Sequence, residues 1–513
     1  MSFTNTVILQ IIIFYCLVIA FHKSPTLKSI RVSAIGLPLI IGLCWYLVPK
    51  YTLVVGLGLW LLLILWPFLL MRRLSVLLIQ AKFDQASRHA ARIRWLMPTD
   101  GMWVYPQILR GLALWQQGEV APAEQILSRY QTDQRMMPRS AIALSYRVTN
   151  RWAEYLTWVD GQLSPIELAK DQSPIRTYYL RALGETGDLP RLLALIDRLP
   201  HSSDLLVSRL QTLAFCGRTA SVAAIVPYAL RPFPVTSQEF WLGTAELAAG
   251  QGRQRLHQLQ TADNFYLQQD LSWRLTHPLP QLRQLQLDDW AMVSNIEAAA
   301  LQEIDHGQIV PTKVSMPATK LLLWLNIGVF VAEIGWRIFA APPQLPWLSW
   351  GSLIAPLVMT GEWWRLISAN FLHLNLIHLL MNMLGLNYLG KFVEHRLGTI
   401  KFIVAYALTG IGAMACVTYV DLWQPATQIR ATAGASGAIM GLLGVMGAIY
   451  LVSWWQHRAA TASRELKSIG VAVGLQLIFD ITNGHTSIVG HFSGLAIGLV
   501  VGVVLASIQT KKV

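Results

Sequence analysis

GASGAIMGLLG, residues 434–444, and GHFSGLAIG, residues 490–498, decide the reading of this chain. Both open apolar stretches of helical length. Ser436 stands between Gly434 and Gly437, and Gly437, Gly441 and Gly444 follow as a smooth stripe. His491 comes directly after Gly490, and Gly490, Gly494 and Gly498 form a second stripe. Small-residue stripes let membrane helices approach backbone to backbone. If these two dock on each other, Ser436 and His491 come within the roughly 2.6–3.2 Å that a nucleophile and its base need. Taken singly, each stretch is explained as well by helix packing, because small residues abound in membrane helices.

Working outward, the apolar segments define the class. Val7 to Phe21, Val32 to Val48 and Leu53 to Met71 open the chain, and Arg72 and Arg73 close the third. Six more follow a linker holding Pro311 and Pro317, at about 321–340, 376–390, 400–420, 435–454, 468–483 and 487–508. About 20 apolar residues cross a bilayer core, so the expectation is nine spans, the first being the shortest. No positive charge precedes the first run, so it reads as a retained helix and not a cleaved signal. Ala341 to Leu374 is rich in Pro and Trp and suits the membrane interface.

The chain is 54% hydrophobic and 13% charged, against about 25% charged in ordinary soluble domains. A membrane protein with a soluble insert accounts for this. The net charge of +13 fits cytoplasmic loops better than nucleic acid, because no basic run with interleaved aromatics is present. Lys23, Lys28, Arg31, Arg72, Arg73, Lys391, Arg396, Lys401, Arg458, Arg464, Lys467, Lys511 and Lys512 all fall on one side when nine spans are threaded. That side is then cytoplasmic, with the C-terminus on it and the N-terminus outside. Cys16, Cys44, Cys216 and Cys416 show neither zinc spacing nor a disulfide framework.

From Leu74 to His306 the periodicity is helical and the composition soluble. Turn residues recur at Lys82, Gly118, Asn150, Gly187, Gly217 and Gly252, separated by 36, 32, 37, 30 and 35 residues. A helix–turn–helix unit with a period near 34 resembles tetratricopeptide repeats in pattern, without the strict consensus. Such pairs stack because one pair cannot bury its apolar face alone. A concave partner-binding surface and an irregular helical domain without a groove remain equal alternatives here.

Polar residues inside spans are costly and therefore informative. HLNLIHLLMNML, residues 373–384, carries His373, His378 and Asn382, the last two on one helical face. They read as donors aimed into a cavity, or as interhelical hydrogen bonds. Metal ligation by His373 and His378 fits poorly, since their spacing of five is not that of a helical zinc pair. With Ser436 and His491 these residues supply a nucleophile, a base and donors for an oxyanion, which is the set that acyl transfer to water requires. Asp480 is the only acid within the last two spans and reads as lying near a helix end, so a Ser–His dyad is expected.

Residues from about Lys320 to Ala506 resemble the six-span rhomboid core. GEWWRLISANFLH places the family's Trp-Arg motif on Trp364 and Arg365. HLNLIHLLMN fits its His-x4-His-x3-Asn pattern, and LGKFVEHRLG its Gly-x3-Glu-x3-Gly pattern, at Gly390, Glu394 and Gly398. GASG matches the nucleophile motif, and GHFSGLAIG the His-x2-Gly-x3-Gly motif. The resemblance implies an intramembrane serine endopeptidase that hydrolyses peptide bonds in or beside substrate transmembrane helices. It implies Ser436 and His491 as the dyad, His378 and Asn382 in the oxyanion hole, and structural roles for Trp364, Arg365 and Glu394. One departure is Met440, where many relatives carry an aromatic residue that stacks on the histidine.

The expected architecture is therefore all-α. Residues 1–73 form a membrane region with three transmembrane helices, 74–306 a soluble tetratricopeptide-like α-solenoid, 307–319 a linker, and 320–508 a rhomboid protease domain with six transmembrane helices. No metal or organic cofactor is implied. Expected partners are transmembrane protein substrates and a cytoplasmic protein bound through the repeats, with no nucleic acid. The topology fits a bacterial plasma membrane and does not exclude an organelle. Two rivals are an inactive relative that binds helices without cutting them and a scaffold anchored by its membrane part. A transporter is disfavoured, because the core has no relay of ionisable residues.

Overall fold

The computed structural model describes residues 8–9, 12–13, 15–17, 19–20, 28–97, 101–171, 174–199, 205–230, 233–279, 282, 285–306, 315–339, 350–423, 430–482 and 487–509. Among them every regular element is helical, and the sole strand-like pairing is an isolated antiparallel bridge between Leu353 and Thr432. The chain divides into two compact units, the first essentially residues 1–300 and the second residues 301–513.

Seven helices among the described residues are long and apolar enough to cross a membrane. Two lie in the first unit, Ile30–Leu47 and Thr52–Ile79. Of the expected span Val7 to Phe21, residues 8–9, 12–13, 15–17 and 19–20 are described and all are helical; the others lie outside the described residues. The second of these helices runs on past Arg72 and Arg73, which were expected to end it. The arginines end the apolar stretch and not the helix, since Arg is a good helix former. Within it, Leu61–Leu65 is a π-helical turn just ahead of Pro67. A proline ring collides with the carbonyl four residues back, here that of Leu63, and widening the turn relieves this.

The rest of the first unit is a succession of helix pairs. Asn150 separates Met136–Val148 from Trp152–Asp160, Gly187 separates Pro174–Thr186 from Leu189–Arg198, and Gly217 separates Leu206–Phe215 from Thr219–Ala229. Gly118 and Gly252 divide the flanking pairs in the same way, and Lys82 sits between Ile79 and Phe83. Gly217 has φ +68, and a Cβ there would lie 3.0 Å from the Ala249 nitrogen, so this turn needs glycine for both its conformation and its closeness.

Three helices of this unit are joined by buried charges. Asp270 on Phe265–Thr276 meets Arg181 at 2.9 Å and Arg147 at 3.2 Å, and Arg274 meets Glu185 at 2.7 Å. Burial alone would raise the Asp270 pKa, but the Arg181 and Arg147 guanidiniums outweigh it and hold the carboxyl below its ordinary range. Removing one member leaves buried charge uncompensated. Asp270→Ala is therefore expected to destabilise the chain by about 3–5 kcal/mol, read as a lowered thermal midpoint of the first unit.

The second unit holds six long helices among the described residues: α1 (Pro317–Phe339), α2 (Leu376–Leu397), α3 (Thr399–Asp421), α4 (Ser436–His457), α5 (Ala460–Thr482) and α6 (Ile488–Gln509). All but α5 meet the length and apolarity of a span. α5 is 23 residues long but carries Arg464, Glu465, Lys467, Gln476 and Asp480. α4 is the central helix, with 72% of its span buried against 28–44% for the other four. Leu386, Val393, Phe402, Ala405, Ala438, Leu442 and Val445 form the packed interior around it. Leu321, Trp324, Leu384, Leu408, Val500 and Val504 point outward, as lipid-facing positions do.

Candidate active site

The α4–α6 contact is made of glycine against backbone. A Cβ added to Gly494 would lie 2.1 Å from the Gly437 carbonyl oxygen, and one on Gly498 would lie 2.0 Å from that of Gly441. From the other side, a Cβ on Gly444 would lie 2.2 Å from the Leu495 oxygen. The two stripes face each other across the helix pair. Gly437 follows Ser436, and its would-be Cβ lies 3.5 Å from the carbonyl of Gly490, the residue before His491. The seam thus brings the starts of α4 and α6 together. No direct hydrogen bond joins Ser436 to His491 among the described residues; in unliganded sites such bonds are commonly long.

Ser436 is half-buried and is the first residue of α4, with Ala435 as the cap residue and no side chain capping the helix. The first N–H groups of a helix have no partner within it. They carry the positive end of the helix dipole and favour an anion beside them. The approach to the serine is pinned on two sides. Leu353 and Thr432 exchange backbone hydrogen bonds at 2.8 and 2.9 Å, and the Gly434 N–H donates to the Ala369 carbonyl at 2.8 Å. Gly434 has φ +137, and a Cβ on it would lie 2.7 Å from His378 Cε1, so only glycine fits.

His378 therefore packs against the chain two residues before the serine. Asn382, one turn further along α2, is buried and its Nδ2 is 3.0 Å from His373 Nε2. The His373 and His378 rings meet edge to face at 5.2 Å. His373 thus belongs to the same polar cluster and holds the Asn382 amide.

Farther out, Arg365 is buried and donates to Glu362 at 2.6 Å and to the Ser352 carbonyl at 2.7 Å, while Trp364 stacks on Trp350 with centroids 6.1 Å apart. Both contacts lie within the loop that carries Leu353. Glu394 is buried on α2 and accepts from the backbone N–H groups of Ala318 and Thr319 at 3.0 and 2.8 Å and from the hydroxyls of Thr319 and Thr399 at 2.7 and 3.1 Å. It caps the N-terminus of α1 and joins α2 and α3 to it.

The largest departure from the sequence reading concerns the histidine. Its Nδ1 lies 2.7 Å from Asp480 Oδ2 on α5, and the Gln476 amide donates to Asp480 Oδ1 at 2.9 Å. Asp480 and His491 are both buried. The sequence reading set Asp480 aside near a helix end; the structure places its carboxylate against the His491 ring. Asp480 does lie in the last turn of α5, but that turn faces His491. Spacing alone did not reveal this, because the two residues lie on different helices and share no periodicity.

With every regular element among the described residues helical and seven helices long and apolar enough to cross a membrane, the fold is that of a polytopic helical membrane protein. Residues 360–508 match the family model described as Rhomboid domain, and the C-terminal part of the chain is a rhomboid domain. Similar curated proteins include RHOMBOID-like protein 4 of Arabidopsis thaliana, 32% identical over 32% of this chain and 40% of that protein. Rhomboid protease AarA of Providencia stuartii is 29% identical over 38% of this chain and 74% of its own length. Putative rhomboid protease YdcA of Bacillus subtilis is 32% identical over 28% of this chain and 66% of its own length. The matched stretch thus spans from two fifths to three quarters of these relatives.

Proposed function

We propose that the chain is an intramembrane serine endopeptidase that hydrolyses a peptide bond in or beside a substrate's transmembrane helix. The observation that carries this reading is the glycine-to-backbone seam between α4 and α6, which brings the turns of Ser436 and His491 to one crossing. Relatives named as rhomboid proteases support it.

His491 takes the proton of the Ser436 hydroxyl as its oxygen bonds to the scissile carbonyl carbon. The carbonyl oxygen becomes an oxyanion beside the free N–H groups of α4, with His378 and Asn382 as further donors. The intermediate collapses, the C–N bond breaks, and the amine leaves with the proton from His491. Water then repeats the sequence on the acyl-enzyme and releases the acid. A substrate helix must unwind locally first, because an intact helix hides its peptide bonds. Trp364, Arg365 and Glu394 hold the loop and helices around the site. The repeats of the first unit present a surface to a cytoplasmic protein partner or to the substrate's soluble part, with the C-terminus on the same side.

The test is incubation of the purified full-length chain, in detergent, with several unrelated single-pass transmembrane substrates. Cleavage within or next to the membrane segment is expected. A wild-type chain inert on all of them, and not labelled on Ser436 by a fluorophosphonate, would favour the non-cutting relative instead.

A further inference from the structure

In a stack of helix pairs, each pair packs on the pairs beside it. Phe265–Thr276 does not keep to that rule. It follows the pair divided by Gly252, yet its side chains reach the first helix of five successive pairs. Phe265 meets Trp115 edge to face at 6.3 Å. The Arg147 guanidinium lies 4.8 Å from the centre of the Tyr266 ring. Asp270 pairs with Arg147 and Arg181, which precede it by 123 and 89 residues. Arg274 pairs with Glu185 and lies 5.1 Å from the Phe215 ring and 5.8 Å from that of Phe240. Progress along this helix is therefore progress along the stack, from the pair at Gly118 to the pair at Gly252. Its buried face is also unlike an ordinary packing face. Leu189–Arg198 buries Leu189, Leu192, Leu193 and Ile196, all apolar. Phe265–Thr276 buries Leu267, Asp270, Leu271 and Arg274, and both charges are answered by the stack. Asn264 accepts from the Leu267 N–H at 3.0 Å, so the helix has a cap of its own.

We propose that Phe265–Thr276 is a built-in ligand of the repeats, seated on the face that the first helices of the pairs form, and that a partner helix binds there by displacing it. This rests on the reading of the repeats as a partner surface. The partner that fits is a helical segment carrying an aromatic residue, an acid four positions later and an arginine four positions after that. Tyr266, Asp270 and Arg274 have this spacing, which puts all three on one helical face. Aromatic and arginine side chains are the usual anchors of an interface, and a guanidinium over a ring adds attraction of its own. The contact made in cis leaves one group for a competitor to answer. Glu185 is buried, and its Oε2 has no hydrogen-bond partner among the described residues. A segment with one donor more at that point would satisfy it. Once released, a helix of 12 residues is marginal in water, so opening is coupled to unfolding of the segment. The partner's apparent affinity then falls by the fraction of molecules whose face is open.

The experiment has two arms, both on the purified full-length chain in detergent. The first is amide hydrogen exchange of the wild type. Protection of Phe265–Thr276 is expected to be at least about tenfold lower than that of Pro174–Thr186, as for a segment that opens by itself. The second uses a fluorescent peptide of residues 263–278 as the probe, added to wild type and to a Tyr266→Ala, Arg274→Ala chain. That chain's own helix is weakened, so the peptide is expected to bind it at least about tenfold tighter than wild type. The peptide also restores part of the variant's thermal midpoint, and the same peptide with Asp270→Ala does neither. Exchange of Phe265–Thr276 in step with Pro174–Thr186 makes the helix a fixed part of the fold and overturns the proposal, while leaving the other faces of the repeats to hold a partner. Independent opening with a peptide that binds the variant no better than wild type overturns the proposal together with the reading of the repeats as a partner surface. The first arm needs no substitution, so a variant that fails to fold does not spare the proposal.

Discussion

Ser436→Ala is expected to abolish cleavage of a transmembrane substrate, His491→Ala to cost as much, and the double variant to be no worse than either. Nucleophile and base act as one unit. In a soluble serine protease, losing either alone lowers kcat by about 10⁶-fold, and losing both adds little. What then remains comes from binding and from oxyanion donors. Here those would be the N–H groups of the first turn of α4 and the polar cluster of His378, Asn382 and His373. The serine variant should keep the wild-type thermal midpoint. Ser436 caps nothing, and its replacement opens no cavity in the seam. Cleavage at more than about a hundredth of the wild-type rate by a stably folded Ser436→Ala chain would move the nucleophile elsewhere.

Gly498→Ala should come close to that loss without touching a reacting atom. The new Cβ would lie 2.0 Å from the Gly441 oxygen and 2.7 Å from its carbonyl carbon. These are backbone atoms in the interior of α4 and cannot turn aside as a side chain would. The helices must separate instead, and overpacking of this kind costs about 1–3 kcal/mol. The greater effect is on rate. A displacement of about 1 Å at the reacting groups costs on the order of 10²-fold. Gly470→Ala on α5 is the control, since a Cβ there meets nothing within 4 Å and should leave the rate unchanged. Paired measurements of kcat and thermal midpoint decide the matter. A Gly498→Ala chain with normal kcat would show that the seam does not set the distance between serine and histidine.

The parts of this fold that could be read in the sequence are those written in local periodicity. Gly437, Gly441 and Gly444 announced a face, Gly490, Gly494 and Gly498 a second one, and the structure presses the two together. The turns at Asn150, Gly187 and Gly217 were visible because glycine and asparagine tolerate the positive φ that the chain adopts there. Features that depend on contacts across the fold were hidden. Asp480 looked like an isolated acid because nothing in its own helix names a partner. His373 showed its place beside Asn382 only when the loop before α2 folded back. The helix through Arg72 and Arg73 was cut short in the reading because charge was taken as the end of the helix, when it ends only the apolar stretch. The π turn ahead of Pro67 is a local response to a steric clash, with no composition of its own.

The seam also bears on how the molecule comes into being. α6 follows the five other helices in the chain, and Gly494 and Gly498 on it meet the backbone of α4. Ser436 is made before His491, so under the proposed function the nascent chain holds a nucleophile whose base has yet to be made. On the proposed function, the helix made after the other five is the one that arms the site.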